Sequence, residues 1–355
     1  MRHLADAETK TEKAETLISI LTERCNNPEI LKSSLAASQA ITCYAFVICY
    51  VMERPLFRVP TIYLTSFRDE KTRNLLAELQ ESRRHFASVK ASIDDRCTRF
   101  RQPLSKKQLD YFYERAVVDD NHKVIYCPVW KSGSTSWRAV MHVLKGSFKT
   151  LDDAVKSVRW IKGLTTLKSY KNRSEIELRL RTYKKFMAYR EPLNRFAADY
   201  VMLKRSGKGY ERQSRGVVEY VNSVRGRRDP KVPWQNMSIW DFAKFVSRFG
   251  NETTKMIKLN HQWIPQNMAC YPCHINYDYY IDMESSTVNR DSRYLLMILR
   301  APHWLKMPHV NPTTKDKTPY LSQLSEPLHN RLVSVYYNDY EIFGFKKPEH
   351  SNMIP

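Results

Sequence analysis

The chain has 355 residues, 42% hydrophobic and 12% aromatic, enough apolar material for a packed body and too much for a disordered chain. Lys and Arg number 58 against 37 Asp and Glu, a formal charge of +21 that points to an anionic partner: nucleotide, acidic glycan, acidic membrane or nucleic acid. No zinc-finger, homeodomain or RNA-recognition signature accompanies that charge, which sets nucleic acid aside.

Four zones follow in chain order. Residues 1–32 are a polar tail of mixed charge, read as cytoplasmic. Residues 33–52, SSLAASQAITCYAFVICYVM, hold no charged side chain over about the 20 residues a bilayer crossing needs, and are the candidate transmembrane signal anchor. The competing reading of this segment is a buried or amphipathic helix. Residues 53–118 are read as a stem, in which DEKTRNLLAELQESRRHFASVKASIDDRC has helical spacing with opposite charges close enough for i,i+4 pairing. Residues 119–355 are the globular domain.

Within that domain KVIYCPV reads as a strand and STSWRAVMHVL as the helix behind it. KKFMAYRE is a second strand, after which Pro192 opens the helix PLNRFAADYVML in the favoured first-turn position. INYDYYIDME is a third strand, VNRDSRYLLMILR a helix, and LSEPLHNRLVSVYYNDYEIFGF is helical up to its aromatic tail. Strands alternating with helices predict an α/β fold with a central parallel sheet flanked by helices. Basic residues crowd between Lys184 and Lys231 and predict a local anion-facing surface.

The cysteines are Cys25, Cys43, Cys49, Cys97, Cys127, Cys270 and Cys273. With Cys43 and Cys49 in the anchor, an even set remains beyond it, and its pairing is open. CYPC lacks a second Cys or His pair at ligand spacing, so one or two disulfides in an oxidising lumen are expected rather than a zinc site. Sequons at Asn172, Asn236 and Asn251 suit such a compartment.

The most informative run is KVIYCPVWKSGSTSWRAVMHVL, Lys123 to Leu144. A strand turning sharply into a helix leaves the first helical N–H groups unpaired, and with the positive end of the helix dipole they form a phosphate site. Gly133 permits the tight turn, Ser134, Thr135 and Ser136 offer hydroxyls, and Lys131 supplies a mobile cation. It is not the common nucleotide-triphosphate loop, because the lysine precedes the glycine and no second glycine is correctly spaced. No acidic strand end offers a magnesium ligand, and no metal is expected.

YCPVWKSGSTSWRAVMHVL resembles the 5′-phosphosulfate loop of the Golgi carbohydrate sulfotransferases of the chondroitin 4-sulfotransferase type, with Lys131, Gly133, Thr135 and Trp137 on matching positions. YREPLNRFAADY, with Arg190 to Tyr200, is similar to the same family's second element, and HQWIPQNMACYPCHINYDYYIDME to its third. The closing LSEPLHNRLVSVYYNDYEIFGF is similar to its last helix and ending, so the resemblance covers about residues 83–345.

The resemblance implies a P-loop-like sulfotransferase fold, 3′-phosphoadenosine 5′-phosphosulfate as donor and a glycan hydroxyl as acceptor, with chondroitin or dermatan N-acetylgalactosamine foremost. It implies a type II single-pass protein of the Golgi membrane with a lumenal catalytic domain. Lys131 is the expected stabiliser of leaving-group charge. Ser132, Gly133, Ser134, Thr135, Ser136 and Trp137 form the 5′-phosphate loop, and Arg190 forks onto the 3′-phosphate, a geometry that suits guanidinium. Arg195 either adds to that site or braces its helix. His261 is the candidate general base, with Glu284 second and His142 third.

The chain departs from the family pattern in three places. The family serine that contacts the 3′-phosphate is Ala198, followed by Asp199 where a small residue is usual; the loop proline is Trp130; the loop cysteine is Ser134. Ala198 motivates a rival, a non-catalytic relative that binds anionic glycan. A nucleotide kinase-like protein is the second rival.

Overall fold

A computed structural model of the chain describes residues 70–157, 163–205, 211–225, 236–248, 262–302, 304–308 and 318–348. The tail, the candidate anchor, the first part of the stem, His261, Asn251 and much of the basic stretch up to Lys231 lie outside the described residues. Among those described, no helix is long and apolar enough to cross a membrane.

The elements run α1 (Glu70–Arg96), a 3-10 turn at Cys97–Phe100, α2 (Lys106–Arg115), β1 (Val117–Asp119), β2 (Val124–Cys127), α3 (Ser134–Leu144), α4 (Leu151–Ser157), β3 (Thr165–Thr166), α5 (Arg173–Thr182), β4 (Lys184–Tyr189) and α6 (Pro192–Arg205). They continue with α7 (Glu211–Arg225), α8 (Ile239–Ser247), α9 (Gln266–Cys270), β5 (Tyr279–Asp282), α10 (Val288–Ile298), α11 (Thr318–Leu321), α12 (Glu326–Val335) and α13 (Tyr337–Phe343). Several starts are written in the sequence. Ser105 and Gln108 form a capping box on α2, Ser238 and Asp241 one on α8, and Pro192 opens α6.

The five-stranded sheet has the order β3-β1-β2-β4-β5. β2, β4 and β5 are parallel neighbours, with Tyr126 opposite Phe186 and Phe186 opposite Tyr279. These are the three strands expected from the sequence. The sheet as a whole is mixed, because β1 and β3 add antiparallel strands at the β2 edge. Both are two or three residues long, too short to show a period of their own.

All four residues of β2 are buried, as a strand covered on both faces must be. On one face Tyr126 and Phe186 stack at 4.7 Å, and Trp137 of α3 closes edge-on to Phe186 at 4.9 Å. On the other, Ile125, Cys127, Met187, Tyr189 and Tyr280 join the main core, which also takes in Ile93, Cys97 and Phe112 from the region read as a stem.

Two disulfides cross this core, Cys97–Cys273 and Cys127–Cys270. The two cysteines of CYPC therefore reach outward to different elements. One of them grips the end of β2, where the loop begins.

Candidate active site

β2 ends at Cys127, and the chain turns through Pro128–Gly133 into α3. Lys131 and Gly133 both have left-handed backbone, φ 67° and 70°. For the lysine that conformation costs about 1–2 kcal/mol, a strain characteristic of functional loops. At Gly133 space is also lacking: a Cβ there would lie 2.6 Å from Cε of Met283. Gly133 caps α3 without any side-chain cap, and the first helical bond runs from Trp137 N–H to the Gly133 carbonyl at 3.1 Å. The N–H groups of Ser134, Thr135 and Ser136 precede it and have no helical partner, leaving donors and dipole for an anion.

Arg190, just beyond β4, comes to the same place. Its NH1 donates to the Lys131 carbonyl at 3.4 Å, so phosphate loop and guanidinium share one edge of the sheet. This is the carboxyl end of the parallel strands, where α/β folds place their ligands. The guanidinium also donates from Nε to Glu284 Oε1 at 2.9 Å and pairs with that oxygen through NH2 at 2.8 Å.

Gln266 locks loop and arginine together. It is fully buried, and its Oε1 accepts from Ser132 Oγ at 3.2 Å and from Arg190 N–H at 2.9 Å, while Nε2 donates to the Arg190 carbonyl at 2.7 Å. The α9 start that carries it is capped from the C-terminal helix: Asp339 accepts from the Gln266 and Asn267 N–H groups at 2.7 and 2.8 Å. Burial pushes the Asp339 carboxyl up to about 6, against the opposing pull of Arg195 and these N–H donors.

The remaining predicted residues fall into distinct roles. Thr135 is partly exposed, and its Oγ1 accepts from Arg138 NH2 at 3.3 Å. Ser132, Ser134 and Ser136 are largely buried, and the Ser132 hydroxyl is engaged by Gln266. Trp137 is wholly buried against Tyr126 and Phe186. It supports the cradle from beneath and does not face it. Arg195 is likewise buried and donates to the carbonyls of Gln262 at 2.8 Å and Ile264 at 2.6 Å, the contacts of a brace.

His142 sits seven residues beyond Thr135 on α3, about 10 Å along the axis, and is not brought to Lys131. Burial, then Lys145 and Arg138, lowers its pKa. Glu284 is at the site, on Arg190.

Sequence reasoning missed Gln266, whose role depends on the crossing of distant segments, and Arg138. The Arg138 guanidinium lies 4.4 Å over the Trp130 ring while Nε donates to the Ser134 carbonyl at 2.9 Å. Trp130, the departure from the family proline, thus holds the cation that engages Thr135.

Lys131 Nζ lies 3.0 Å from Met202 Sδ on α6. One turn back on that helix is Asp199, buried, with Oδ2 accepting from Trp263 Nε1 and Oδ1 without a partner among the described residues. Burial raises the Asp199 pKa; Lys131, the Trp263 bond and Arg195 oppose it. A raised carboxyl means that the folded state holds the proton more tightly than the unfolded chain, so stability from this group falls as pH rises from the unfolded value of 3.8. Asp199→Asn keeps shape and the Trp263 bond. It is expected to raise the melting temperature at pH 7 by about 2–4 °C, the response to about 1 kcal/mol, with the gain vanishing near pH 4. Melts across that range check it, and a variant less stable at pH 7 would show that Lys131 more than offsets the burial.

Known proteins place this arrangement. Residues 114–346 match the model of the sulfotransferase family. The chain is 27% identical to zebrafish (Danio rerio) carbohydrate sulfotransferase 14 over 251 residues, 69% of this chain but 65% of that protein, just under two thirds of its length. It is 28% identical to mouse (Mus musculus) carbohydrate sulfotransferase 11 over 77% of this chain and 78% of that one. Against human (Homo sapiens) carbohydrate sulfotransferase 10 the identity is 27% over 70% of each. No solved structure matches the chain. With the loop, the arginine and the closing helices all inside the matched span, the chain belongs to the sulfotransferase family.

Proposed function

We propose that the protein is a carbohydrate sulfotransferase that moves a sulfonyl group from 3′-phosphoadenosine 5′-phosphosulfate to a glycan hydroxyl, with N-acetylgalactosamine of chondroitin or dermatan as the acceptor. The observation that carries this is the convergence of the α3 amide cradle, Lys131 and Arg190 on one sheet edge, with Arg190 NH1 bonded to the loop carbonyl. The donor set suits the nucleotide's chemistry: main-chain N–H groups and an ammonium for one phosphate, a guanidinium for another. The names of the relatives favour a sugar acceptor.

The donor supplies an activated sulfonyl group: its sulfur–oxygen bond to the 5′-phosphate breaks as the sugar oxygen bonds to sulfur, the bond pair staying on the nucleotide and the hydroxyl proton passing to a base. The N–H groups of Ser134–Ser136 orient the 5′-phosphate, and Lys131 Nζ neutralises charge on the bridging oxygen. His261 is the proposed proton acceptor, with Glu284 as the second candidate. The protein is proposed to reside in the Golgi membrane with this domain lumenal, which the two disulfides favour.

Family membership displaces the nucleotide kinase-like reading. Ala198, whose buried methyl stands where the family has a hydroxyl, favours one rival, a non-catalytic glycan-binding relative. Incubation with radiolabelled donor and a panel of desulfated glycans separates the two. Label is expected in chondroitin or dermatan; glycan binding with no label in any glycan and no affinity for 3′-phosphoadenosine 5′-phosphate would establish the rival.

A further inference from the structure

Glu284 shows what Arg190 and its neighbours are shaped to hold. Arg190 Nε and NH2 meet Oε1 at 2.9 and 2.8 Å, and Asn194 Nδ2 donates to Oε2 at 3.2 Å. The three residues come from three elements: the end of β4, the first turn of α6 and the segment after β5. A carboxylate only accepts, so the amide must present its N–H to it. A guanidinium and an amide N–H gripping the two oxygens of one anion form an oxyanion site, and the carboxylate within it stands in for two oxygens of a phosphate.

Asn194 lies one helical turn before Ala198, on the same face of α6, and is partly exposed where the Ala198 methyl is buried. Its own N–H donates to Glu191 Oε2 at 2.5 Å, which fixes the turn that aims the side chain.

We infer that Asn194 is a donor-binding residue, giving the nucleotide's 3′-phosphate the hydrogen bond that a serine at position 198 would give, and that Glu284 fills the phosphate's place until displaced. The inference rests on the sulfotransferase reading above. It makes the substitution at Ala198 compatible with an active enzyme, because the lost donor is replaced from the preceding turn. It also makes Glu284 a competitor of the donor: the carboxylate must leave Arg190 for the 3′-phosphate to enter.

Calorimetry on the full chain with 3′-phosphoadenosine 5′-phosphate and with adenosine 5′-phosphate tests it without turnover. Wild type is expected to prefer the bisphosphate. Asn194→Ala should weaken the bisphosphate about tenfold or more, the scale for a hydrogen bond to a charged group, and leave the monophosphate within about twofold. Asn194→Asp, of the same shape but acceptor-only, should weaken it further, and Glu284→Gln should tighten it several-fold. Equal loss of both nucleotides in Asn194→Ala and Asn194→Asp would mark Asn194 as merely structural and overturn the inference, as would unchanged bisphosphate affinity. A wild type with no preference for the 3′-phosphate would overturn the sulfotransferase reading along with it.

Discussion

Lys131→Ala is expected to lower kcat for sulfonyl transfer by about 10²–10³-fold, the range for removing one preorganised donor from developing transition-state charge, while the melting temperature stays within about 2 °C of wild type. The loss should fall on kcat more than on donor KM, since the cradle N–H groups and Arg190 bind the nucleotide's ground-state charges while the ammonium meets the charge that appears as the bond breaks. The Met202 thioether that Lys131 meets is a weak acceptor, and the buried Asp199 that loses the pull of the Lys131 charge can take up a proton, which limits the cost to the fold. The left-handed backbone at position 131 is as costly for alanine as for lysine, so the strain cancels in the comparison. Lys131→Arg should not restore the rate, because a planar fork cannot occupy the place of a compact ammonium. Steady-state kinetics with labelled donor decide it: a kcat within about threefold of wild type would remove Lys131 from the chemistry.

What the sequence made legible is what local chemistry determines. The cradle was readable because a glycine, a lysine and hydroxyl residues between an apolar run and a helical period admit few conformations, and Pro192 fixed the start of α6. The three parallel strands were readable from the apolar and aromatic stretches VIYC, FMAY and YYI at their centres. What escaped depends on residues far apart in the chain. Gln266 gave no signal until the fold set it between Ser132 and Arg190, and nothing in IPQNMAC marks it as a clamp. Trp137 sits at a matching motif position, yet its burial turns it from a ligand contact into a floor. Arg195 was ambiguous in sequence for the same reason: the carbonyls that bind it come from the segment around Gln262, on another part of the chain. Cysteine pairing was likewise open until α9 met β2.

Breaking one disulfide is expected to cost about 4 kcal/mol and to damage the site through it. Cys127–Cys270 and Cys97–Cys273 are nested, with sequence separations of 143 and 176 residues. Taken alone, either would restrict the unfolded chain by about 5 kcal/mol in the chain-entropy account. With one already closed, the other closes only the short circuit from Cys97 to Cys127 and from Cys270 to Cys273, roughly 35 residues and about 4 kcal/mol. Removing both should therefore cost roughly 9 kcal/mol, a large part of the about 5–15 kcal/mol that holds a domain folded. Cys127→Ser has a second consequence that Cys97→Ser lacks. Cys127 ends β2 and Cys270 ends α9, and the same short helix presents Gln266 to Ser132 and Arg190. Loss of that tether frees the clamp, so nucleotide affinity should fall in Cys127→Ser and hold in Cys97→Ser when both are measured below their unfolding transitions. Urea titration gives the stabilities and calorimetry the affinities. Equal affinity in the two variants would show that Gln266 is held by Asp339 and packing alone.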